Sequence, residues 1–263
     1  MNQNEKATLE SQLYGVICNA YDTEEMFWLR QNDDYQSKVT LGLLLSGQYR
    51  FQEAIDAFLL AKKVKADDAS LYTRLGGAYL TTFHFEESKK AYNTAISLGT
   101  SKKSIAYPLG VWHYLVGDYG TAAKIFPECL PCEGEMKIAV IYWQMLSSLK
   151  CGKSPILADE YHDEMDVGHH TAYKLAVSVM LGRTDTKASL KSLKDEKDDL
   201  NYVVASYGIA EYLIATGKDE EGKKLIGELL KRKSVWPCIS YLAALREQNV
   251  SESLNYSKYN IKE

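Results

Sequence analysis

Three stretches of this chain carry one pattern: LGLLLSGQYRFQEAIDAFLLA at 41–61, LGGAYLTTFHFEESKKAYNTA at 75–95 and LGVWHYLVGDYGTAAKIFPEC at 109–129. Leu41-Gly42, Ala54, Phe58 and Ala61 recur 34 residues later as Leu75-Gly76, Ser88, Tyr92 and Ala95. At the same offset they recur again as Leu109-Gly110, Ala122, Phe126 and Cys129. A fixed period of this size, with small and large residues at helical spacing, marks a stack of helix-turn-helix units. The glycines belong where the two helices of a unit approach most closely, and a side chain there would push them apart. Phe58, Tyr92 and Phe126 follow the small slot by one helical turn, share its face and fill the space between units. One unit alone cannot bury this stripe, so stability has to come from stacking several.

The second stretch with its preceding turn reads Tyr72, Leu75, Gly76, Tyr79, Ser88, Tyr92 and Ala95. This resembles the tetratricopeptide repeat family, whose pattern is W-x2-L-G-x2-Y followed by A-x3-F; Tyr replaces Trp and Ser replaces Ala. The resemblance implies an all-α, right-handed superhelical α-solenoid of about six repeats. It also implies that the first helix of each repeat lines a concave groove. The groove slots would then hold Leu43, Thr73, Gly77 and Leu80, then Tyr107, Val111 and Tyr114, and further along Ile141, Met145, Tyr173 and Val177. Such a surface is apolar and aromatic and suits an amphipathic helix or hydrophobic segment of a partner. Some co-chaperones of this family clamp an acidic tail with Lys and Asn at these slots. Val39, Leu43 and Gly77 stand there instead, which disfavours that use.

Composition agrees with a folded helical array. The chain has 263 residues, 46% of them hydrophobic, and only five prolines, against a disordered or linker-rich chain. Nineteen tyrosines against six phenylalanines suit an elongated stack, where an aromatic body packs and its hydroxyl stays wet. A formal net charge of −4 argues against broad binding to nucleic acid or anionic membranes. The first ten residues lack the basic and apolar regions of a secretory signal, and no apolar run reaches membrane-spanning length. Five cysteines without framework spacing suit a reducing compartment. The expectation is a cytoplasmic protein.

In order, 1–34 reads as an amino-terminal helical cap, with one helix over 3–20 and a second over Glu24 to Arg30. Three regular repeats occupy 35–136, with Asp67-Asp68 supplying the cap for the first helix of the second and Ser104 that of the third. Pro108 falls in a first helical turn, where it costs little, whereas Pro127 should kink or shorten its helix. Three divergent repeats follow over 137–236. In the first of these, Ile138 to Leu149 is an apolar helix, and Ser154-Pro155 should start its partner. Gly217 marks a turn between helices. A closing helix from Trp236 to Arg246 and a polar tail make up the end, 237–263.

Three clusters invite a chemical reading. Cys129 and Cys132 form a CxxC, but at a helix carboxyl end, where the dipole disfavours a thiolate; the pair reads as structural. His162, Asp163, His169 and His170 gather metal-ligand chemistry at one turn, yet their spacing fits no hydrolase or phosphate-binding motif. A solvated turn is the preferred reading, with a weak metal site as its rival. Lys62, Lys63 and Lys65, and Lys223 to Lys233, fall towards helix carboxyl ends on an outer face.

The function expected is therefore a non-enzymatic scaffold or adaptor without a cofactor, binding another protein in an apolar concave groove. The alternatives are a chaperone-like shield for a hydrophobic segment, and, in a different class, a metal-binding protein or hydrolase using the histidine cluster. Self-association into a homo-oligomer would be a third use of the groove.

Overall fold

The computed structural model describes residues 21–251. The helix expected over 3–20 and the tail beyond Ser251 lie outside the described residues. Among those described there are thirteen α-helices and no strand, an all-α array of stacked helical hairpins. The chain divides between Glu133 and Gly134 into two compact units.

The first unit begins with α1 (Glu24–Gln31), followed by three hairpins: α2 (Tyr35–Gly47) with α3 (Phe51–Val64), α4 (Ala69–Thr81) with α5 (Phe85–Ser97), and α6 (Ala106–Leu115) with α7 (Tyr119–Ile125). Each hairpin packs on itself and on the next. The repeated glycines explain the pairing. A Cβ built on Gly42 would lie 2.4 Å from the Phe58 ring, one on Gly76 2.5 Å from Tyr92, and one on Gly110 2.7 Å from Phe126. All three rings are essentially fully buried. The glycine is the seat of the aromatic ring 16 residues further on, which is why the two recur together. Ser88 takes the alanine slot because its buried hydroxyl donates to the Gly76 carbonyl at 2.8 Å.

The turns repeat as closely as the helices. The amides of Arg50, His84 and Asp118 donate to Leu45, Tyr79 and His113 oxygens at 2.9 Å in each case. This is the wide hydrogen bond that closes a Schellman helix end. The residue before each amide is left-handed: Tyr49 at φ 64°, Phe83 at 61° and Gly117 at 87°. Two bulky residues thus occupy a conformation that usually selects glycine. Asp68 caps α4 as expected, accepting from the Ser70 and Leu71 amides. At the third repeat no side chain caps α6: the Ser101 hydroxyl accepts from the Ser104 amide, and Ser104 itself sits in the 3-10 turn Lys103–Ile105 that leads into α6. Pro108 lies in the first turn of α6, and α7 gives way at Phe126 to a 3-10 turn containing Pro127.

The second unit is built differently. It contains α8 (Gly134–Lys150), α9 (Thr171–Met180), α10 (Thr186–Leu193), α11 (Asp199–Ala215), α12 (Asp219–Leu229) and α13 (Ile239–Ser251). α11 is its centre and packs on α8, α9, α10, α12 and α13. Gly208 allows this: a Cβ there would meet Tyr142 at 2.6 Å and the Ala176 methyl at 2.8 Å. The partner helix expected from Ser154-Pro155 does not form. Between α8 and α9 there is only the 3-10 turn Ala158–Glu160. Gly152 and Gly168 are left-handed, and the buried apolar residues of this stretch, Leu157, Tyr161 and Val167, are spaced as single anchors rather than as a helical stripe. α13 starts at Ile239, so Trp236 and Pro237 precede the closing helix.

Candidate protein-binding surface

The surface inferred from the repeat slots is narrower in the structure than in the sequence. Leu43 on α2 is 39% exposed, and Thr73 and Gly77 on α4 and Tyr107 on α6 are partly exposed. Leu80, Val111 and Tyr114 are buried. Tyr114 packs its ring edge-on against Tyr119, at 5.1 Å between centroids. In the second unit Ile141, Met145 and Val177 are buried, and Tyr173 is packed between Tyr142 and His170, each at 4.9 Å. The reason lies in α8, which is buried on every side from Ile138 to Ser148. A helix that is apolar all round belongs to an interior, not to a groove wall. The slots of the first unit that reach solvent are thus Leu43, Thr73, Gly77 and Tyr107, a mixed apolar and polar set.

Two exposed apolar groups escaped the sequence reading. Phe27 and Trp28 on α1 are each 58% exposed, and Leu60 and Val64, one turn apart on α3, are 43% and 57% exposed. Beside the latter pair a depression of about 510 Å³ is lined by Asp56, Leu59, Leu60, Lys62 and Lys63. The i, i+4 spacing of Leu60 and Val64 was the available signal; the run of apolar residues before them hid it.

Charge fixes α1 against the first hairpin. Arg50 is buried and reaches Asp22 at 2.6 Å and Glu53 at 2.7 Å, and Arg30 joins the same two carboxylates. The Arg30 hydrogen bond, aided by Arg50, holds the Asp22 carboxyl below its usual range. Lys38 donates to the Arg30 carbonyl at 2.9 Å, tying the end of α1 to α2. Between the first two hairpins, the Tyr35 hydroxyl donates to Asp68 at 2.7 Å. Burial and that neighbouring carboxylate push Tyr35 up to about 12. The lysines do sit outside, with Lys62 over the Tyr72 ring and Lys65 over Tyr35, both at 5.5 Å, but Lys223 and Lys224 lie in the middle of α12 and not at its carboxyl end.

The candidate chemical clusters do not converge. Among the described residues no three His, Cys, Asp or Glu side chains are grouped to hold a metal ion. His169 is fully exposed, and it and His170 approach the single carboxylate of Glu135, at 3.3 and 3.5 Å. Asp163 pairs with Arg183 instead. Cys129 and Cys132 are both partly buried. Burial and the neighbouring Cys132 push the Cys129 thiol up to about 11, away from a reactive thiolate.

The hairpin stack, its glycine-aromatic contacts and its 34-residue period give the first unit the architecture of tetratricopeptide-like helical repeats. No family model matches the chain. It is locally similar to peroxisomal targeting signal receptors of yeasts. The receptor of Saccharomyces cerevisiae is 29% identical over 124 residues, 46% of this chain and 20% of the receptor. That of Candida albicans is 33% identical over 91 residues, 35% of this chain and 15% of the receptor. That of Candida glabrata is 32% identical over 108 residues, 40% and 18% respectively. The chain therefore spans a fifth or less of the length of these relatives. No helix among the described residues is long and apolar enough to cross a membrane.

Proposed function

We propose that this protein is a non-enzymatic adaptor that binds a peptide or helical segment of another protein along the first helices of its first unit. The observation that carries the reading is that Leu43, Thr73, Gly77 and Tyr107, set at repeat-equivalent slots on the first helices of the packed hairpins, are exposed or partly exposed. Side chains on packed helices are held in place before a ligand arrives, so less ordering entropy is lost on binding. The local similarity to targeting signal receptors supports a protein ligand and makes signal-bearing peptides the first class to try. The mixed character of these slots favours a short extended or helical segment over shielding of a long hydrophobic stretch.

The test is fluorescence anisotropy with labelled peptides carrying peroxisomal targeting signals, beside scrambled peptides of equal charge. Saturable binding that Leu43→Glu or Thr73→Glu weakens at least ten-fold supports the reading. Binding that both variants leave intact would move the site elsewhere. If no signal peptide binds, the adaptor reading passes to affinity capture, and the signal-receptor version of it fails.

A further inference from the structure

The second unit contains a charge cluster around the buried Glu211 that the proposed binding role does not use. Lys150 is the last residue of α8, Glu211 lies inside α11 and Glu247 lies on α13. The Lys150 ammonium is 2.6 Å from Glu211 Oε2 and 2.9 Å from Glu247 Oε1. Tyr207, one turn before Glu211 on α11, donates its hydroxyl to Glu247 Oε1 at 2.9 Å. Glu211 is only 3% exposed, and its Oε1 is buried with no donor aimed at it.

If both carboxyls were ionised, two negative charges would face one ammonium, and a buried carboxylate oxygen would be left without a hydrogen bond. An unpaired buried acceptor is unfavourable, and more so when it carries charge. A single proton placed between the two carboxyls removes both problems. It turns the repulsive pair into a donor and an acceptor and leaves one carboxylate for one ammonium. We propose that Glu211 and Glu247 share one proton, and that this proton latches α13 onto α8 and α11. The groups facing the shared site are Lys150 from α8, Tyr207 from α11 itself and Glu247 from α13. Burial, with the charge of Glu247 next, pushes Glu211 up to about 8, while Lys150 opposes the shift. The titration belongs to the pair, not to either residue alone.

The sign follows from linkage. The folded state keeps a proton that the released helix would lose in the ordinary carboxylate range. The latch is therefore fully present below about pH 4.5, weakens as pH rises, and is spent above about pH 8. Within that window the opening equilibrium of α13 grows by up to about ten-fold per pH unit.

The experiment uses the full chain in two measurements. Hydrogen exchange of the α13 amides, corrected for intrinsic rates, is followed from about pH 5 to about pH 9 in wild type, Glu211→Gln and Glu247→Gln. Either amide donates the hydrogen bond without a titrating proton. The expected result is a loss of α13 protection with pH in wild type that both variants abolish. Infrared spectra of the wild type near neutral pH should show a protonated carboxyl band that Glu211→Gln removes. Equal pH slopes in wild type and variants would overturn the proposal. So would the absence of the band, which needs no variant to fold.

Discussion

At the scale of single residues, the glycines of the repeat are seats for aromatic rings rather than flexible joints. Gly76→Ala drives a methyl group into the buried Tyr92 ring, 2.5 Å away, and should destabilise by about 1–3 kcal/mol, the usual cost of overpacking. At Gly120, inside α7, an added methyl group would meet nothing within 4 Å, so Gly120→Ala should stabilise by about 0.5–1 kcal/mol. Urea unfolding of the two variants checks the pair, and destabilisation of both by equal amounts would refute the distinction. The ring seats were legible because glycine and aromatic recur together at a constant offset. The left-handed turn was not. Tyr49 and Phe83 hold the same φ region as Gly117, and nothing about an aromatic residue announces that conformation; only its alignment with Gly117 could have done so.

At the scale of elements, α1 is attached by both its apolar face, Met26 and Leu29, and the Arg30, Arg50, Asp22 and Glu53 network. Arg50→Ala removes the buried cation that joins Asp22 to Glu53. Because Arg30 still pairs with both carboxylates and Glu53 is partly exposed, it should cost about 1–2 kcal/mol and raise hydrogen exchange in α1 before the hairpins are affected. Unchanged exchange in α1 would mean that burial of Met26 and Leu29 suffices. The regular helices of the first unit were readable from their period, and the cap of α4 from Asp68; Asp34 and Asp118, which cap α2 and α7, were not singled out. The stretch after α8 misled because Ser-Pro is a good local helix start, whereas a helix also needs a stripe to bury. Leu157, Tyr161 and Val167 supply separate anchors. The same gap explains the binding slots: period alone places a residue on a helix face, but whether that face meets solvent depends on what packs there. For Val177 on α9 and Ile141 on α8 it does not.

At the scale of the whole molecule, two units of different construction follow one another in the chain. The first repeats its glycine seats, its Schellman turns and its small-residue slots three times, which gives a regular surface. The second gathers its helices around α11 and carries the Glu211–Glu247 acid pair, so between about pH 5 and about pH 8 a change of pH should act chiefly on its last helix. The central claim is that the open slots of the first unit recognise a protein segment. Its most direct measurement is the anisotropy titration of signal-bearing peptides against wild type and Leu43→Glu, with circular dichroism confirming that the variant remains folded. The account predicts saturable binding that the variant weakens at least ten-fold; equal affinity in the folded variant would contradict it.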